Sequence, residues 1–426
     1  MGFLHEHIIL PLSDLLRGEQ IHKYLRLLKE TESWTPSQME TFQQERLRKL
    51  IIHVATKVPF YRDWFHDNNI DPYTAALDKL PIVSKAIMRQ EGVHRFSADG
   101  IPDKKRIPSH SSGSTGEPFA FYTTRLSNSV NTAAKLHTWY KAGYHLGDLY
   151  VKMAYMPRPS LKKRVQDNVN RCLYIHFDSV NETLLYNTSK LIEDKKPLIL
   201  RSYPLPIFLL AQYRINHPEF QHRLLRVMTT GGVLTNTFRS TIENAFGCDV
   251  IDSYSCEGTP NTYETPIHDG YNVCNYYGII EILDNNNQPV SNGIGRVVST
   301  DFWNTAYPFI RYDTQDCVYV ENGRIKRIIG RQTEYVTSTD GTLYTTYSFM
   351  SYFEHEIEHI TAFQVINHKN ESITINLTVD DAFNKSDISH ISDHWTTLLG
   401  KKAEVLIVDH IPLLHNNKYL SIVNEE

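Results

Sequence analysis

The chain has 426 residues, 41% of them apolar and 22% charged, and carries a formal net charge of −4. That is the balance of a soluble globular protein, and its charge excludes the basic footprint needed to hold nucleic acid or an anionic membrane surface. The length exceeds one ordinary core, so a large domain plus a smaller one is expected.

In chain order, Met1-Gly2-Phe3-Leu4-His5-Glu6-His7 has no basic start, and His and Glu break its apolar stretch, so it does not read as a signal peptide. Glu6 stands where a myristoylation signal at Gly2 wants Ser or Thr. Residues from about 12 to 100 read mostly as helix, with Leu47, Leu50, Ile51 and Val54 at helical spacing. Residues 107–123 read as two strands joined by the turn Ser111-Ser112-Gly113-Ser114-Thr115-Gly116-Glu117-Pro118. Its glycines let backbone N–H groups converge on an anion, and its hydroxyls add rotatable donors, so it reads as a phosphate cradle. It is not a Walker A loop, because Glu117 occupies the lysine position.

A long helix is expected over Asn128 to Lys141, and then strands and helices alternate. Strands are expected over Leu149–Ala154, Leu198–Ser202, Leu225–Thr230 and Val250–Tyr254, with helices over Pro206–Asn216 and Thr237–Phe246. Alternation of this kind implies a largely parallel buried sheet, with ligands beyond the carboxyl ends of its strands. Glu257 lies just past one such end, and Gly231-Gly232 just past another. Residues 276–320 are richer in strands, with turns at 284–287 and 291–293, and a small α+β unit follows Arg331. In that unit a helix is expected over Tyr347–His359 and strands over Phe363–Asn367 and Ile373–Val379. The fold class is therefore α/β with a small α+β C-terminal domain. The expected division is 1–325 and 326–426, with residues 1–100 a largely helical lead-in.

The most apolar stretch, Pro204 to Ala211, is too short to span a bilayer, and five cysteines make no disulfide framework, so a cytoplasmic setting with reduced thiols is expected. His355-Glu356-Ile357-Glu358-His359 matches a zinc-protease pattern on the expected helix, but with no convincing third ligand it reads as a solvent face. Cys256, His268 and Cys274 lie close in sequence without metal-pair spacing and read as buried thiols beside a histidine.

Three later segments join the Ser/Gly turn. Asp252-Ser253-Tyr254-Ser255-Cys256-Glu257-Gly258 resembles the Tyr-x-x-Glu motif of adenylate-forming enzymes. Phe309-Ile310-Arg311-Tyr312-Asp313-Thr314-Gln315-Asp316 resembles their Arg-Tyr-x-Thr-Gly-Asp motif, and Ile329-Gly330-Arg331 their Gly-Arg boundary motif. Together with Val58-Pro59-Phe60-Tyr61, Leu80-Pro81 and Ser84-Lys85, the ordered set is similar to the phenylacetate–CoA ligase and CapK-like branch, over nearly the whole chain.

The resemblance implies an enzyme that joins a carboxylic acid to ATP as an acyl-adenylate and passes the acyl group to coenzyme A. The alternatives are an amine acceptor in surface-polysaccharide assembly, or a catalytically silent nucleotide binder. In this reading Ser111, Ser112, Gly113, Ser114, Thr115 and Gly116 hold the ATP phosphates, and Glu257 binds Mg²⁺. Gly231, Gly232 and Tyr254 form the adenine slot, Asp316 accepts the ribose hydroxyls, and Arg331 stabilises the nucleotide or the hinge. Lys418 is the catalytic lysine of a rotating C-terminal domain, hinged near Val320 to Arg331, where Gly323 could absorb the change. Tyr140, Arg201 and Tyr203 are candidate walls of the substrate pocket. The chain departs from the family at Glu117, at Val233, at Asn417, at Thr333-Glu334 and at Gln315, which replaces a glycine and must avoid positive φ or carry strain.

Overall fold

The structure, a computed structural model, describes residues 2–110, 120–154, 157–158, 160–177, 180–331, 335–340, 342–411 and 420–425. Its contacts divide the chain into two compact units: Met1–Asp148, Val169–Arg171 and Ser253–Arg327 form the first, and Leu149–Asn168, Cys172–Asp252 and Ile328–Glu426 the second.

The first unit begins with helices. Pro36–Lys57 starts on a capping box, in which the Thr35 side chain accepts from the Gln38 backbone and the Gln38 side chain accepts from the Thr35 backbone. It buries Leu50, Ile51 and Val54. Its other residues reach the strand-rich part of the unit: Phe42 stacks on Tyr276 at 4.6 Å, and the Arg46 guanidinium lies 3.9 Å from the centre of the Trp303 ring. The strands Gly278–Leu283, Gly293–Asp301 and Tyr312–Glu321 pair antiparallel in that order, and Val83–Ser84 adds in parallel against Tyr312 and Asp313. Gly323 sits with Asn322 in the tight turn after Glu321, with φ of +73° and +50°, and donates its N–H to the Ser291 carbonyl at 2.8 Å. Its conformational freedom is thus used by a hairpin.

In the second unit the strands Cys172–His176, Tyr150–Ala154, Ile199–Ser202 and Arg226–Thr230 pair in parallel in that spatial order. Alternation along them turns Val151, Met153, Leu200 and Val227 into one core with the helices Glu182–Lys195, Pro204–Asn216 and Asn236–Phe246. The expected strands and helices of this region are present, joined by Leu161–Val169, Cys172–His176 and Glu182–Lys195.

The C-terminal stretch builds a four-stranded sheet in the order Lys402–Ile407, Ser372–Val379, Ile360–Asn367, Ile422–Asn424. The helix Asp387–Leu399 fills its core with Ile391, Trp395 and Leu399, at helical spacing. The helix expected over Tyr347–His359 is instead Thr346–His355. Residue 359 has φ +67° and leads straight into the Ile360–Asn367 strand, which no continuing helix allows. His355 and His359 therefore do not share one helical face. Among the described residues no helix is long and apolar enough to cross a membrane.

Candidate functional site

The two strands expected to flank the Ser/Gly turn are present. Ile107–His110 and Ala120–Thr123 pair antiparallel, Ile107 opposite Thr123 and His110 opposite Ala120. Ser111, Ser112, Gly113, Ser114, Thr115 and Gly116 themselves lie outside the described residues, as does Lys418. Arg331 ends the strand Arg324–Arg331, and its side chain is likewise outside the described set.

Within the first unit, two motifs far apart in sequence meet. The Tyr254 hydroxyl donates to the Asp316 carboxylate at 2.8 Å and lies 3.4 Å from the Thr314 hydroxyl. Burial, then the negative charge of Asp316, raises the Tyr254 pKa well above its ordinary value, so the phenol remains a donor. Gly258, at φ +69°, leaves room that the Phe309 ring occupies, and its carbonyl accepts from the Ser299 hydroxyl at 3.1 Å. Glu257 is partly buried, and its Oε2 accepts from the Cys256 thiol at 3.4 Å.

The turn that carries Asp316 holds strain. Gln315 adopts φ +62°, the conformation for which glycine is the unstrained residue. Side chains hold it there: the Gln315 N–H donates to Asp313 at 2.9 Å, and the Asp316 N–H donates to the Thr314 hydroxyl at 3.1 Å. That hydroxyl in turn donates to the Val297 carbonyl at 2.9 Å. Arg311, also at positive φ, is a structural lock. It grips both oxygens of Glu281 at 3.0 and 3.1 Å and donates to the carbonyls of Asp78 and Leu80.

Of the expected pocket walls, Tyr140 belongs to the first unit. Its hydroxyl donates to Glu6 at 2.8 Å, and Lys29 sits 4.0 Å from its ring centre. Arg201 and Tyr203 belong to the second unit. There Gly231, at φ +73°, closes against Tyr203: a Cβ on it would lie 2.9 Å from the ring. A Cβ on Gly232 would lie 3.1 Å from Pro204. The glycine pair and the Arg201-Ser202-Tyr203 segment are thus one surface.

Sequence reasoning missed the neighbours of Arg201. Lys152 is its register partner on one side and that of Tyr174 on the other. Arg158 stacks over Tyr174 at 4.3 Å and pairs with Asp167 at 3.4 Å. The signal was present as a lysine inside the otherwise apolar run Leu149–Ala154 and an arginine inside Leu198–Ser202.

Cys256, His268 and Cys274 have separate surroundings. Cys274 is buried and pushed up to about 12 by loss of solvation, while His268 faces Glu264 at 3.3 Å. Among the described residues, no three His, Cys, Asp or Glu side chains converge as a metal centre would need.

Residues 336–425 match the CapK C-terminal domain family. The chain is 24% identical over 371 residues to Protein CapK of Staphylococcus aureus, covering 81% of this chain and 80% of that one. Over a shorter stretch of 94 residues, 21% of each chain, it is 30% identical to phenylacetate-coenzyme A ligase of Thermus thermophilus. The fold is that of 2-hydroxyisobutyryl-CoA ligase, solved in its postadenylation state with 2-HIB-AMP: the TM-score is 0.68 at 18% identity, covering 89% of this chain and 88% of that one. By these likenesses the chain is similar to the adenylate-forming ligase superfamily, in the branch that holds CapK and phenylacetate–CoA ligase.

Proposed function

We propose that the protein activates a small carboxylic acid with ATP, forming an acyl-adenylate and releasing pyrophosphate, and then transfers the acyl group to coenzyme A. The observation that carries this reading is the union of the Tyr254–Gly258 and Phe309–Asp316 segments, with Asp316 oriented by the Tyr254 hydroxyl at 2.8 Å. A carboxylate held this way keeps lone pairs for both ribose hydroxyls. Glu257 suits Mg²⁺: it is a hard-oxygen donor of which the Cys256 thiol engages one oxygen. The metal would offset phosphate charge as pyrophosphate departs. The Ser111–Gly116 turn would hold the outer phosphates, Gly231 and Gly232 would border the adenine, and Lys418 would approach the carboxylate and α-phosphate. Arg331 would mark the hinge of a mobile C-terminal domain from about residue 326, swinging Lys418 out before transfer.

The resemblance to the CapK-like branch motivates a second reading of the acceptor, as an amine used in surface-polysaccharide assembly. ATP–pyrophosphate exchange across a panel of acids, with Glu257→Ala as control, tests the first step. Exchange with one acid, lost in the control, is expected; binding of Mg-ATP without exchange on any acid would favour a silent nucleotide binder. With the acid fixed, thioester formation on coenzyme A against amide formation on amino acids and amino sugars decides the acceptor. Lys418→Ala should lose exchange yet still transfer from preformed acyl-adenylate, and equal loss of both steps would remove its assigned role.

A further inference from the structure

Interior strands of a parallel sheet are ordinarily apolar on both faces. In the second unit, Tyr150–Ala154 lies between Cys172–His176 and Ile199–Ser202, and Ile199–Ser202 lies between it and Arg226–Thr230, so both are interior strands. One face, with Val151, Met153 and Leu200, joins the apolar core. The other carries a row in which Tyr174, Lys152 and Arg201 stand side by side on successive strands, roots about 5 Å apart. Arg158 adds a third cation. Its guanidinium lies 4.3 Å from the centre of the Tyr174 ring, and the Lys152 ammonium lies 5.8 Å from the same centre. Asp167, at 3.4 Å from Arg158, balances one of these charges.

Lys152 and Arg201 are both partly buried. Like charges drawn together out of water repel and lose solvation, and burial, then Arg201 and Arg158, bring Lys152 down to about 8. A bound anion reverses both costs. Guanidinium forks grip its oxygens in pairs, and the ammonium adds a point charge.

We propose that Lys152, Arg158 and Arg201 form an anion site on the face of the second unit's parallel sheet opposite the helices Glu182–Lys195, Pro204–Asn216 and Asn236–Phe246, taking a carboxylate or phosphate of a small, multiply charged acid. The assignment rests on residues of the second unit alone and does not depend on the proposed function.

The test is thermal unfolding of the full chain at pH 7 with Mg-ATP present, titrated with succinate or with glycerol phosphate at constant ionic strength. The expected result is a saturable rise in Tm with at least one of them. Lys152→Met should raise the half-saturating concentration at least tenfold, and Lys190→Met, at an exposed lysine paired with Asp194, should leave it unchanged. Preference for succinate marks a carboxylate ligand, and preference for glycerol phosphate a phosphate monoester. No saturable rise in the wild type, or equal half-saturation in Lys152→Met, would overturn the site. If that variant does not fold, reductive methylation of the wild type, mapped at Lys152 by mass spectrometry, decides instead: protection by the same anion supports the site and its absence overturns it. Anion binding without pyrophosphate exchange on any acid would overturn adenylation alone. Exchange on a monoanionic acid without anion binding would overturn the anion site alone.

Discussion

Arg311 in the first unit and Lys152 in the second are both charges on sheet strands or their edges, and they are handled in opposite ways. Arg311 has both oxygens of Glu281 and two backbone carbonyls as acceptors, so its charge is answered from within. Lys152 stands beside Arg201 and near Arg158, with Asp167 and the Cys172 thiol offsetting it in part. A polar interior whose partners are built in is scaffold. One that gathers like charges is where an arriving anion would be stabilised.

The sharpest way to break that contrast is Arg311→Ala. It strands the Glu281 carboxylate and two carbonyls, and should cost about 3–5 kcal/mol in urea unfolding. A loss below 1 kcal/mol would show that Arg311 is no lock. Lys152→Met should do the reverse in anion-free buffer. The folded protein holds Lys152 near 8 while the unfolded chain keeps it at about 10.5. Between those values the unfolded chain binds the extra proton, so wild-type stability rises with pH across that window, and below 8 the full penalty applies. The variant should therefore gain about 2–3 kcal/mol at pH 7, fading toward nothing near pH 10.5. A gain that does not vary with pH would assign the effect to packing.

Tyr254→Phe removes one hydrogen bond to a carboxylate and should cost about 1.5 kcal/mol. If Asp316 holds the ribose, the KM for ATP in the exchange reaction should rise roughly tenfold with a smaller change in kcat; an unchanged KM would leave Tyr254 a purely structural residue. Gln315→Gly has the smallest expected effect, a stabilisation of under about 1 kcal/mol as the strain at positive φ is relieved against the added freedom of the unfolded chain. Destabilisation would mean that the Gln315 side chain contributes more than its backbone costs.

The alternating region was legible because its strands and helices carry local signals that agree with the final packing. The helix Pro204–Asn216 has proline in its first turn and an apolar body, and Arg226–Thr230 is β-branched and ends at glycines. Asp387–Leu399 escaped notice, because Ser, Asp, His and Thr dominate it and three buried residues carry its packing. The length of Thr346–His355 was misjudged because no proline or glycine follows it; the adjoining strand, not a local stop, ends the helix. At the site, the motifs located Tyr254 and Asp316, but their mutual hydrogen bond joins residues far apart in the chain and leaves no sequence trace. Gln315 is the converse case. The missing glycine was visible, and only the backbone could show that the turn kept its glycine-like conformation. The cationic row stayed hidden because the side-by-side placement of Lys152 and Arg201 depends on strand order and register.

The interleaving of the two units along the chain bears on how the protein is made. The strand Val83–Ser84 emerges from the ribosome long before its partners Tyr312 and Asp313 exist. The first unit cannot close until residues up to Arg327 have been synthesised, after most of the second unit's parallel strands. During that interval Leu80 and Val83, buried in the finished protein, have nothing to cover them. No single cut of the polypeptide releases either unit whole, so fragments truncated for expression should aggregate, and the nascent chain should depend on holding chaperones until its C-terminal third arrives.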